Sequence, residues 1–81
     1  MTIASQIKTA IDRSSSHDEI VSVTIDGDSG VALTAIRSLV DCEVDYVMID
    51  REGIDVLDVW GYDVDAPEGQ MLWRLAIRFA E

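Results

Sequence analysis

Residues 55–65 read DVLDVWGYDVD, so that Asp55, Asp58, Asp63 and Asp65 fall close together with no positive charge among them. Carboxylates so grouped could ligate a metal ion, divide acid and base roles in a hydrolysis, or form an anionic surface. Hydrolysis needs two opposed acids in a concave pocket, one of them with a raised pKa. A small flat sheet offers no such pocket. The other nucleophile candidate is Ser29, with His17, the chain's single histidine, as its base. That pair would still need an orienting acid and an oxyanion hole. Cys42 is the only cysteine and has no partner in the sequence, so a half-buried structural thiol is expected. The sequence therefore reads as a protein with no catalytic residues, no cofactor and no metal.

Three local patterns bear on that reading. The stretch GDSG (27–30) resembles the nucleophile segment of chymotrypsin-like serine proteases, but the likeness covers four residues. A chain of 81 residues cannot build that two-barrel fold. Glycine, aspartate and serine also suit a strand-to-helix turn. DGDSG (26–30) resembles the start of a calcium loop, which needs ligands at its first, third and fifth positions and a glutamate at its twelfth. Here those last two positions hold Gly30 and Arg37. Asp63, Asp65 and Glu68 in DVDAPEG lack the spacing too, and a solvated loop is expected. No phosphate-binding glycine loop is present.

The elements that position these residues follow from periodicity. Ile3, Ile7 and Ile11 recur at helical spacing beside Ala4 and Ala10, with Thr2 as cap and RSSS as terminator. In EIVSVTID, Val21, Val23 and Ile25 alternate with Ser22 and Thr24, which predicts a strand. Asp28 or Ser29 caps a second helix with an apolar stripe of Ala32, Ala35, Ile36, Leu39 and Val40. Three more strands follow: CEVDYVMID, IDVLDVWGYD and MLWRLAIRFA. In the last, Met71, Trp73, Leu75, Ile77 and Phe79 share one face. The order αβαβββ predicts an α+β domain spanning residues 1–81, with two helices on one face of a mostly antiparallel four-stranded sheet. Strands two to four form a meander. Strand one could run parallel to strand two.

Around DREG, a turn with Gly53 as a left-handed bulge pairs Asp50 with Ile54, Met48 with Val56, Tyr46 with Asp58 and Val44 with Trp60. This register places Val56, Asp58, Trp60 and Tyr62 under the helices, with Tyr46 as the partner of Asp58. The open face then holds Val47, Ile49, Leu57 and Val59, rimmed by Glu43, Asp45 and Asp55. Arg74 and Arg78 would pair with Asp55 or Asp45.

Charge is the most informative bulk property. Sixteen acids against six bases give a net charge of −10. Residues 41–68 hold ten acids against Arg51 alone, a net of −9, and the rest of the chain carries −1. Such a field repels nucleic acid and anionic lipid and attracts basic partners. No apolar run reaches the ~20 residues of a membrane span. The N-terminus lacks a signal-peptide pattern. With one cysteine, these features suit the cytoplasm.

Alternate strand residues lie ~6.6–6.8 Å apart on one face. Glu43 and Asp45 have that relation, which is comparable to the step between neighbouring phosphates. The turn Asp50–Glu52 and the loop Asp63–Glu68 extend the negative charge at either end. The candidate partner-binding set is therefore Glu43, Asp45, Asp50, Glu52, Asp55, Asp63, Asp65 and Glu68.

In its size, compact α+β plan and acid run DCEVDYVMIDREGIDVLDVWGYDVDAPE (41–68), the chain resembles the small acidic phage-encoded anti-CRISPR proteins that mimic DNA. The resemblance implies an inhibitor in a bacterial host cytoplasm. It would cover the basic DNA- or PAM-reading surface of a CRISPR effector subunit, without chemistry and without contacting nucleic acid itself. Two other readings keep their place. One is an antitoxin or immunity-type protein that neutralises a basic nuclease. The other is a structural module that homodimerises through the open sheet face. The sequence leaves monomer and homodimer both open.

Overall fold

The computed structural model describes residues 2–17 and 19–80. Two helices, α1 (Ile3–His17) and α2 (Ser29–Leu39), alternate with and precede four strands: β1 (Ile20–Asp26), β2 (Glu43–Arg51), β3 (Ile54–Tyr62) and β4 (Met71–Ala80). The sheet order is β1-β4-β3-β2. β2, β3 and β4 form the expected antiparallel meander, and β1 lies parallel to β4. β1 and β2 are therefore the two edges, with α2 carrying the chain from one to the other.

The helices form where their apolar spacing requires. Ile7, Ala10 and Ile11 are buried on α1, and Ala32, Leu33 and Ile36 on α2. Thr2 Oγ1 accepts from the Ser5 amide at 3.1 Å, and Asp28 Oδ1 accepts from the Val31 amide at 2.9 Å. α1 runs on through the serines that were expected to end it. Ser15 returns its hydroxyl to the Ile11 carbonyl at 2.9 Å, which keeps it compatible with the helix. Ser14 is buried and serves the sheet. Its Oγ accepts from the Arg74 amide at 2.8 Å and lies 2.6 Å from the Glu19 carbonyl, to which it donates. A hydroxyl thus satisfies backbone groups at the point where β1 begins to pair with β4.

The core lies between the helices and one face of β1, β4 and β3. Val21, Ile25, Leu57, Val59, Trp73, Leu75 and Ile77 meet the helix residues there. Both β3 residues in that set were expected on the opposite face. The hairpin loop is two residues long, Arg51 opposite Ile54 and Asp50 opposite Asp55. Glu52 and Gly53 both have positive φ, 55° and 82°, as a type I′ turn demands. The predicted bulged register is displaced by one residue, which turns β3 over. Magnitudes account for the choice. A left-handed glutamate costs ~1–2 kcal/mol and a like-charge cross-strand pair ~0.2–1 kcal/mol. Putting Asp58 in the core with no cation beside it would cost several kcal/mol more, because a tyrosine hydroxyl does not balance a desolvated carboxylate.

The turned β3 needs space where Gly61 faces the core. An added Cβ at Gly61 would approach the Trp73 indole closely. The indole lies over that glycine and fills the position a side chain would take. Helix cover stops short of β2. Tyr46 and Met48 point to the helix side yet are each 46% exposed, as is Val47 on the other side. The molecule is elongated accordingly, 39 × 27 × 22 Å.

Candidate functional site

The ten acids of residues 41–68 divide sharply. Asp41, Glu43, Asp45, Asp50, Glu52, Asp55, Asp63, Asp65 and Glu68 are exposed, and Asp58 alone is buried. Asp58 is the one that is neutralised. It lies on the open face, between Val47 and Ala76 in register. Arg74 Nε donates to its Oδ1 at 2.9 Å and Nη2 to its Oδ2 at 2.6 Å. Hydrogen bonding to Asp58 raises the Arg74 pKa above the usual arginine value, against the opposing effect of desolvation. The expectations that Asp58 sits beside Tyr46 in the core, and that Arg74 pairs with Asp55 or Asp45, are both corrected. Tyr46 is opposite Val59 instead.

The exposed acids form two groups. At one end, Asp41, Glu43, Asp63 and Asp65 surround a cleft of about 500 Å³ with Val40, Leu72 and Trp73 among its apolar lining. The connection after β3 is held in place: the Asp63 amide donates to the Gln70 carbonyl at 2.9 Å, and Asp63 Oδ1 accepts from the Asp65 amide at 3.0 Å. At the other end, Asp50, Glu52 and Asp55 crowd the hairpin tip, where Asp50 Oδ1 accepts from the Gly53 amide at 2.9 Å. β2 separates the groups by on the order of 25 Å, with Asp45 between them. Glu68, with φ 65°, occupies a left-handed position in the β3–β4 loop.

The predicted residues are thus not one patch. Glu43, Asp63 and Asp65 come together, joined by Asp41, which the predicted set omits although it belongs to the same acid run. Asp50 and Asp55 turn to the helix side of the tip, where no helix covers them, so Asp55 does not rim the open face. That face is not an acid-ringed apolar centre. Leu57 and Val59 have left it for the core, while Arg51, Arg74 and Arg78 share it with Glu43, Asp45 and Asp58.

Nor is the molecule without a pocket. The cleft sets four carboxylates, Asp41, Glu43, Asp63 and Asp65, beside an apolar wall of Val40, Leu72 and Trp73. Among the described residues no group of three or more His, Cys, Asp or Glu side chains is arranged to hold a metal ion. Among the same residues no helix is long and apolar enough to cross a membrane.

The chain matches no family model, no curated protein and no solved structure.

Proposed function

We propose that this protein is a non-catalytic acidic inhibitor that occupies a basic nucleic-acid-binding surface of another protein. The observation that carries the proposal is the segregation of exposed charge. Nine exposed carboxylates and Arg51 occupy the half of the molecule built from the α2–β2 connection, β2, β3 and the β3–β4 loop. A protein that grips DNA through lysine and arginine meets phosphates as fixed negative charges. Two carboxylate groups held apart by a hydrogen-bonded hairpin offer such a surface charges at set positions, at little ordering cost. The cleft group adds a seat for one basic side chain.

The target class is the DNA- or PAM-reading surface of a CRISPR effector complex. The resemblance to acidic anti-CRISPR proteins supports this choice over a basic nuclease, which the same electrostatics would also suit. A pull-down from bacterial lysate at low and high salt tests it. The captured protein should be basic and nucleic-acid-binding, it should be lost at high salt, and DNA should compete for it. Capture that persists at high salt and ignores DNA would refute the proposal.

A further inference from the structure

We infer that β2 is a self-pairing strand: two copies of the chain associate antiparallel along their β2 edges, with Val47 opposite Val47, into one continuous eight-stranded sheet. This inference is independent of the partner proposed above, because Asp63 and Asp65 lie beyond β3, away from the β2 edge, and stay accessible in such a dimer.

β2 is a nine-residue edge strand that neither helix covers. Tyr46 and Met48 on one side and Val47 on the other are each 46% exposed. The opposite edge, β1, has exposed Ser22 and Thr24 in the corresponding middle positions, so less apolar surface would be gained there. An uncovered edge of this length, with apolar side chains on both faces, is a template for another strand.

The hairpin decides which backbone groups are available. Arg51 and Ile54 close a two-residue turn. The odd-numbered residues of β2 therefore direct their amides and carbonyls to β3, and Val44, Tyr46, Met48 and Asp50 direct theirs off the free edge. The Tyr46 amide bears this out, since its hydrogen bond goes to Asp45 Oδ1 at 2.8 Å. A pairing strand would replace that exposed local contact.

Symmetry and charge then fix the register. A two-fold axis normal to the sheet keeps each face on its own side, so some residue must oppose itself. Centring on Val47 overlaps all of β2 and sets Glu43 opposite Arg51 at both ends. Tyr46 then meets Met48, Val44 meets Asp50 and Asp45 meets Ile49. No acid opposes an acid. Centring on Tyr46 leaves Arg51 unpaired, and centring on Met48 leaves Glu43 unpaired. Arg51, the one base within residues 41–68, lies where this register needs it.

Sedimentation or light scattering at about 10–100 μM tests for the dimer, since a single edge lies at the small end of stable interfaces. Dimer should form with concentration. Glu43→Arg and Arg51→Glu should each raise the dissociation constant roughly tenfold, because each reverses two symmetry-related pairs. The double exchange should restore it, which separates pairing from damage to the fold. In a Cys42→Ser background, Val47→Cys should cross-link under mild oxidation, as non-hydrogen-bonded pairs lie ~4.5 Å apart, within disulfide reach. Tyr46→Cys should not, since it opposes position 48. A native chain monomeric throughout would overturn the inference, as would equal cross-linking at 46 and 47 or failure of the double exchange to restore association.

Discussion

Asp58 and Arg74 form a two-point ion pair on the open face of the sheet, diagonal across β3 and β4 with an offset of two residues. The carboxylate is nearly hidden, whereas the guanidinium keeps 38% of its side-chain surface. The partners therefore depend on each other unequally. Arg74→Met strands a buried charge and should cost about 3 kcal/mol. Asp58→Asn leaves a guanidinium that water can reach and should cost about 1 kcal/mol. Replacing both with Asp58→Leu and Arg74→Met should recover most of the loss. Urea unfolding of the four proteins measures this, and equal single-mutant costs would count against it. Because pairing raises the Arg74 pKa, its contribution is complete below the unfolded arginine value and is lost only as pH rises through the folded one. Alkalinisation to about pH 10 should leave it intact.

Gly61 is required by Trp73. Gly61→Ala places a methyl group into the indole ring. The ring must shift within a packed core, and the loss should be about 1–3 kcal/mol. The tryptophan emission maximum should move to longer wavelength in the same variant, as Trp73 leaves its site. Unchanged stability would mean that the sheet can open there without cost.

The hairpin turn holds a residue poorly suited to it. Glu52 adopts φ 55°, a region that asparagine tolerates far better. Glu52→Asn should raise stability by about 0.5–1 kcal/mol, visible as a higher midpoint in thermal unfolding. A lower midpoint would show that the glutamate makes a compensating contact.

The elements, their order and the meander are legible in the sequence because each rests on local periodicity. The β4 face from Trp73 to Phe79 and the apolar side of β1 are on the core side as alternation predicts. What alternation leaves open is the register between strands. β3 has plausible apolar residues on both faces, Val56 and Trp60 on one and Leu57 and Val59 on the other. The turn sequence DREG suits either a bulged or a two-residue loop. The deciding facts are distant in sequence: Arg74 reaches Asp58, and Trp73 fills the space at Gly61. Ser14 is a similar case, since the benefit of a serine inside α1 comes from Arg74, sixty positions away.

The acid run itself needs no structure to be noticed, but its division does. From spacing alone the carboxylates form a single rim around an open face. The flipped β3 sends Asp55 to the helix side, withdraws Asp58 into an ion pair and leaves two separate groups. Asp41 joins the cleft because β2 and the loop after β3 converge at the same end of the sheet.

The most direct measurement of the central claim is the salt dependence of binding between this protein and a captured basic partner, for the native chain and for Asp63→Lys/Asp65→Lys with and without Asp55→Lys. Affinity should fall steeply with salt, the cleft reversals should weaken it by at least about tenfold, and the triple reversal should abolish it while thermal unfolding shows a folded protein. Undiminished, salt-independent binding by the folded triple variant would contradict the claim that this surface acts through its charge.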